Sequence, residues 1–158
     1  MQQNNRKNSI LIADDDLDDC YLVEEALCES GLNFNLSFVH DGIELLKYLR
    51  QLDSHTGSHP VHRPDLILLD LNMPRKDGRE ALAEVKADPN LRSIPVVVLS
   101  ISSADEDILQ TYDMGGAGFI VKPTNVSDMV EILKVVNEYW FEVVELSSVE
   151  HMNRNLDN

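Results

Sequence analysis

The sequence predicts an α/β protein, a five-stranded parallel sheet wound on both faces by helices, and three observations carry that prediction. Leu66-Ile67-Leu68-Leu69 and Val96-Val97-Val98-Leu99 are aliphatic runs without polar alternation, the pattern of strands buried on both faces. Five times a short apolar run is followed by a segment with helical spacing, which implies parallel strands joined by right-handed crossovers. Four of the runs stop at a polar or charged residue, most abruptly at Asp70, where a parallel strand meets the ligand crevice of an open sheet. Taken alone, Asp70 has two readings: a functional carboxylate, or the start of a turn before Met73-Pro74.

The first unit is a strand at Ile10-Leu11-Ile12-Ala13, an acidic turn at Asp14-Asp15-Asp16, and a helix using Leu17, Val23, Ala26 and Leu27 that stops near Gly31. Phe34, Leu36 and Phe38 alternate with polar residues up to His40, as in a half-exposed strand near a sheet edge. Ile43, Leu45, Leu46 and Leu49 form the second helix after Asp41-Gly42. A long polar loop, Asp53 to Arg63, precedes the third strand. The third helix carries Ala81, Leu82 and Val85 and ends at Asp88-Pro89. Ile94 to Ser100 reads as the fourth strand, with Pro95 among its first positions, where no ladder donor is needed. A more polar helix, Ala104 to Met114, closes at Gly115-Gly116, and the fifth strand is Gly118-Phe119-Ile120-Val121. Asn125, with Asp128 three residues on, caps a last helix that extends toward or past Trp140.

Residues 1–8 and 147–158 are polar and aperiodic and are expected to be flexible tails around one domain, residues 9–146. The 28 acidic against 13 basic residues, a net charge of −15, argue against nucleic acid as a direct partner. No apolar run is long enough to cross a bilayer and no signal-peptide core opens the chain, so a cytoplasmic location without membrane attachment is expected. Cys20 and Cys28 read as packing residues rather than a disulfide. His55, His59 and His62 share the long loop but lack a carboxylate or thiol companion, so they are read as exposed rather than metal-binding.

All strands of a parallel sheet point their carboxyl ends at one rim. Strand one ends in Asp14-Asp15, strand three in Asp70, strand four in Ser100 and strand five in Lys122. Three carboxylates gathered there repel one another unless a cation joins them, and hard oxygen ligands favour Mg²⁺ or Mn²⁺. With Lys122 to neutralise phosphoryl oxygens, the chemistry that fits is phosphoryl transfer, with central Asp70 as the nucleophile of an acyl phosphate.

Asp14-Asp15, Asp70, Ser100 and Lys122-Pro123, in this order, resemble the active site of response regulator receiver domains, over nearly all of residues 9–140. The resemblance implies a CheY-like, flavodoxin-like sheet of order 2-1-3-4-5. It also implies that Asp70 accepts a phosphoryl group from a partner histidine kinase and that the protein signals by binding a downstream protein rather than as an enzyme. Asp15, Asp70 and the backbone carbonyl of Asn72 would hold the metal, and Asp14 would act through water. Lys122 and the switch hydroxyl of Ser100 would engage the phosphoryl group, and the aromatic ring of Phe119 would rotate with that hydroxyl. A cis bond between Lys122 and Pro123 is implied as well. Asp70 to Gly78, the long loop, Asp88 to Arg92 and Asn137-Glu138-Tyr139-Trp140 are similar to the regulators paired with cyanobacterial bacteriophytochrome kinases. One departure is Ile101, bulkier than the small residue many receivers carry after the switch hydroxyl, and positioned to shield an acyl phosphate from water.

A haloacid-dehalogenase-like phosphatase is the alternative, since Asp14-Asp15-Asp16 offers its Asp-x-Asp spacing; that scheme leaves Asp70 without a task. Asp16, Asp18 and Asp19 are read as turn or capping residues. The last helix is apolar on more than one face, through Met129, Ile132, Leu133, Val135, Val136, Tyr139, Trp140, Phe141, Val143 and Val144. That surplus is expected to form a homodimer, the alternative being a segment beyond Trp140 that folds back onto its own domain.

Overall fold

The computed structural model describes residues 7–53 and 62–143. Five parallel strands, β1 (Asn8–Ala13), β2 (Phe34–Val39), β3 (Leu66–Leu69), β4 (Val96–Ser100) and β5 (Gly118–Val121), form one sheet of order β2-β1-β3-β4-β5. The helices are α1 (Leu17–Ser30), α2 (Gly42–Arg50), α3 (Gly78–Ala87), α4 (Asp105–Asp113) and α5 (Val126–Val136), the last continuing as a π-helical segment over Asn137–Val143. This is the doubly wound, CheY-like architecture.

Side-chain alternation along the strands divides the core in two. Ile67 and Leu69 join Leu11 and Ala13 beneath α2 and α3, while Leu66 and Leu68 join Ile10 and Ile12 beneath α1 and α5. Removing such a side chain from water contributes roughly 1.5–3 kcal/mol, so β3, buried at all four positions, is a rigid base for the residue that follows it.

Helix ends follow the capping residues. Asp16, Asp41, Asp77 and Asn125 each accept a backbone N–H in the first turn of α1, α2, α3 and α5, and Gly31 takes the left-handed φ of 73° that ends α1.

Several boundaries and exposures differ from the sequence reading. β1 starts at Asn8, inside the expected tail, because Asn8 pairs with Phe34. β4 starts at Val96 rather than Ile94: Pro95 has no N–H to give, yet its carbonyl still accepts from Ile67 at 3.0 Å. Leu17, the first helical residue of α1, stands at the rim and is 58% exposed instead of packing inward. The Lys122–Pro123 bond is trans. Beyond α5 the chain does fold back in part, since the Phe141 ring meets Phe34 edge-on at 5.2 Å and Trp140 packs on the α1/α5 side of the core. His55, His59, Val144 and the tail 147–158 lie outside the described residues; His62 is exposed.

Candidate functional site

The parallel strands bring Asp14, Asp15, Asp70, Ser100 and Lys122 to one rim. Asp14 follows β1 directly, and its backbone N–H continues the ladder to the Val39 carbonyl at 2.9 Å, while its own carbonyl meets His40 Nδ1 at 3.0 Å. Asp70 follows β3, with its N–H donated to the Ala13 carbonyl at 2.9 Å. Both carboxylates are buried, whereas Asp15 is exposed.

Lys122 follows β5 and is held to β4 by its N–H on the Ser100 carbonyl, 2.8 Å. Its side chain is 6% exposed, and the ammonium donates to three carboxylates: Asp19 at 2.6 Å, Asp14 at 2.8 Å and Asp70 at 3.0 Å. A lysine has three donors, and all are used. Burial by itself disfavours the ammonium, but the hydrogen bonds it donates to Asp14, Asp19 and Asp70 outweigh that and hold the lysine protonated well above its ordinary value. Burial pushes the Asp14 carboxyl up to about 6 despite its bond to Lys122. The remaining oxygens are also engaged, Asp14 Oδ1 by the N–H of Asp16 at 3.0 Å and Asp70 Oδ1 by the N–H of Asn72 at 3.1 Å.

Asp14, Asp15 and Asp70 each present a carboxylate oxygen within 4.8 Å of the others, a hard, all-oxygen set that fits a small divalent cation and offers nothing to a thiophilic one.

The response regulator receiver domain model matches residues 10–134. The chain belongs to the receiver domain family. The family match sets aside the phosphatase alternative, and this receiver is a signalling protein. It is 37% identical over 144 residues to the response regulator Rcp1 of Synechocystis sp. (strain ATCC 27184 / PCC 6803 / Kazusa), covering 91% of this chain and 96% of that protein. Rcp1 in its Mn²⁺-bound form superposes with a TM-score of 0.76 over 89% of this chain and 99% of that one. The phosphorylated cyanobacterial phytochrome response regulator RcpA is 43% identical, with a TM-score of 0.79 over 90% and 100% of the two chains. A regulator in red light signalling of R. palustris, RPA3017, is 30% identical, with a TM-score of 0.82 over 90% and 99%. Such relatives support a histidine kinase as partner of this receiver, and the acidic cluster with the Mn²⁺-bound relative supports a divalent metal. Among the described residues no helix is long and apolar enough to cross a membrane.

The other expected residues of the receiver site differ in position and burial. Ser100 is fully buried and its hydroxyl oxygen accepts the Ser102 N–H at 3.3 Å. Phe119 is half-buried on β5, opposite Val98. Asn72 is exposed in the β3–α3 loop. Ile101 points into solvent, 75% exposed.

Asp19 is the residue that sequence reasoning missed. Its place in the first turn of α1 suggests only a favourable helix-dipole position, yet its carboxylate makes the shortest contact to Lys122. No local signal marked it, because the lysine it meets lies 103 residues away in the chain.

Proposed function

We propose that Asp70 is the phosphoacceptor of this receiver. The observation that carries the reading is a buried carboxylate at the end of the most buried strand, 3.0 Å from the Lys122 ammonium and within 4.8 Å of the oxygens of Asp14 and Asp15. An Asp70 oxygen forms the new bond to phosphorus while the P–N bond of a kinase phosphohistidine breaks, its electron pair leaving with the imidazole. Lys122 offers its ammonium to a phosphoryl oxygen, and the Ser100 hydroxyl moves to another, with the Phe119 ring following into the space left behind. Mg²⁺ or Mn²⁺ would be held by Asp15, Asp70 and the Asn72 carbonyl, with Asp14 acting through water, and supplies charge neutralisation for the transferring group. The chain thereby assists its own phosphorylation and dephosphorylation and turns over no external substrate.

The kinase is of the bacteriophytochrome type, a reading supported by the phytochrome regulators it resembles. The output is a downstream protein, and the last helix supports a homodimer, since Val135 and Tyr139 remain exposed after Trp140 and Phe141 have packed inward.

The deciding experiment is incubation with Mg²⁺ and acetyl phosphate followed by intact mass measurement. A phosphoryl adduct on the wild type and none on Asp70→Asn is expected; an adduct on both, or on neither, refutes the assignment. Phosphotransfer from a purified phytochrome-type kinase tests the pairing. Sedimentation tests the dimer, which a monomer at high concentration in both phosphorylation states would exclude.

A further inference from the structure

We infer that Asp19 is a positioning residue for phosphorylation, an outboard tether that keeps the Lys122 ammonium at the mouth of the site. The inference rests on the reading of Asp70 as phosphoacceptor. Of the three carboxylates on the ammonium, Asp14 and Asp70 are 4% and 7% exposed and Asp19 is 30% exposed. The lysine is therefore pulled in two directions, inward by the buried pair and outward by Asp19, whose 2.6 Å contact is the shortest of the three.

The outward pull matters because the inner pair is needed elsewhere. Asp70 must free an oxygen for phosphorus, and Asp14 belongs to the cluster suited to a cation. Without Asp19, the ammonium settles between Asp14 and Asp70, where it blocks the attacking carboxylate. With Asp19, one of its three donors stays fixed while another is handed to a phosphoryl oxygen. Asp18 occupies the same first turn of α1 and is equally placed for the helix dipole, but it is Asp19 alone of the two that reaches Lys122.

The test uses the full chain with Asp19→Ala, Asp19→Asn and Asp19→Glu. Initial rates of adduct formation are followed by intact mass with acetyl phosphate at saturating Mg²⁺. Charge-assisted hydrogen bonds are strong, but Asp19 is partly solvated, so Asp19→Ala should slow the reaction about tenfold, equivalent to about 1.4 kcal/mol, with Asp19→Glu recovering most of the loss. A role in helix capping or general charge predicts otherwise: stability would change without the rate, or the loss would vanish at saturating Mg²⁺. Either result overturns the proposal. The second readout is the ¹H–¹⁵N signal of the Lys122 ammonium, assigned by its absence in Lys122→Ala. It should be visible in the wild type and in Asp19→Glu and broadened by solvent exchange in Asp19→Asn and Asp19→Ala. If the wild type takes up no phosphoryl group, the Asp70 assignment falls, and an ammonium signal indifferent to Asp19 separately overturns the tether. Should Asp19→Ala fail to fold, the Asn and Glu variants carry both readouts.

Discussion

Gly78 and Asp70 are so close that a Cβ at position 78 would overlap the Asp70 carbonyl oxygen and lie 2.7 Å from the Leu71 Cα. The first residue of α3 is thus pressed against the backbone at the end of β3, and the Gly78 N–H donates to the Leu71 carbonyl at 2.8 Å. Helix α3 is thereby anchored directly to the segment carrying the proposed phosphoacceptor.

A Gly→Ala change near a helix start is ordinarily mild or stabilising. Here the obstructing atoms are backbone and cannot rotate away, so Gly78→Ala should destabilise the fold by about 1–3 kcal/mol, the usual cost of overpacking. It should also displace Asp70 and slow its phosphorylation. Denaturant unfolding with unchanged m-value measures the first effect, and a midpoint equal to wild type would contradict it.

Arg75 adopts a left-handed φ of 65° in the β3–α3 loop, a conformation costly for any residue with a Cβ. Two contacts of 2.9 Å from its guanidinium to Asp41 Oδ2 hold it there. Arg75→Ala loses the ion pair and keeps the strain, whereas Arg75→Gly loses the pair and relieves the strain. Glycine should therefore be the more stable substitution by about 1 kcal/mol, after allowing for its greater unfolded-state entropy. Equal midpoints for the two variants would show that the loop does not hold this conformation in solution.

The same pair sets a pH dependence. The hydrogen bond from Arg75 holds the Asp41 carboxyl below its ordinary value, helped by the N–H of Glu44. A depressed native pKa means that the unfolded chain binds more protons in that range, so stability rises with pH there. The contribution is complete above the unfolded value of about 4 and is lost as the pH falls through the lower native one. Asp14, raised to about 6, acts in the opposite sense, so the informative quantity is the difference between wild type and Arg75→Ala. That difference should shrink on going from pH 5 to pH 2.5; a constant difference would count against the ion pair.

Phe141 lies beyond α5 and its ring meets Phe34 at the start of β2. Edge-to-face pairs contribute roughly 0.5–1.5 kcal/mol beyond simple burial. Phe141→Ala should therefore lower stability by about 1–2 kcal/mol even in a monomeric sample, and a double-mutant cycle with Phe34→Ala should return the coupling. No coupling would mean that the segment packs elsewhere.

Ile101 follows the buried Ser100 and projects into solvent, and we propose that it shields an acyl phosphate on Asp70. Ile101→Ala should shorten the lifetime of the phosphorylated state several-fold, as read by loss of the adduct after removal of the phosphodonor. An unchanged lifetime would leave Ile101 without a shielding role.

The five-stranded α/β class, the alternation of strand and helix, the cap at Asn125, and the convergence of Asp14, Asp15, Asp70, Ser100 and Lys122 are all legible in the chain. These are local properties: aliphatic runs, side-chain periodicity and capping residues are written over a few positions, and a parallel sheet sends every strand end to one rim. Contacts between partners distant in the chain emerge only on folding. Asp19 and Lys122 are 103 residues apart, Asp41 and Arg75 are 34 apart, and Phe34 meets Phe141 from the far end of the domain. Nothing within a few residues of Asp19 distinguishes a carboxylate that caps a helix from one that holds a lysine. Leu17 could not be told from a core residue for the same reason, since its exposure depends on where the end of α1 lies relative to the rim. Asp70 belongs to both accounts: its abrupt position after four aliphatics is legible in the chain, and the ammonium that faces it is set by the packing of β5 beside β4.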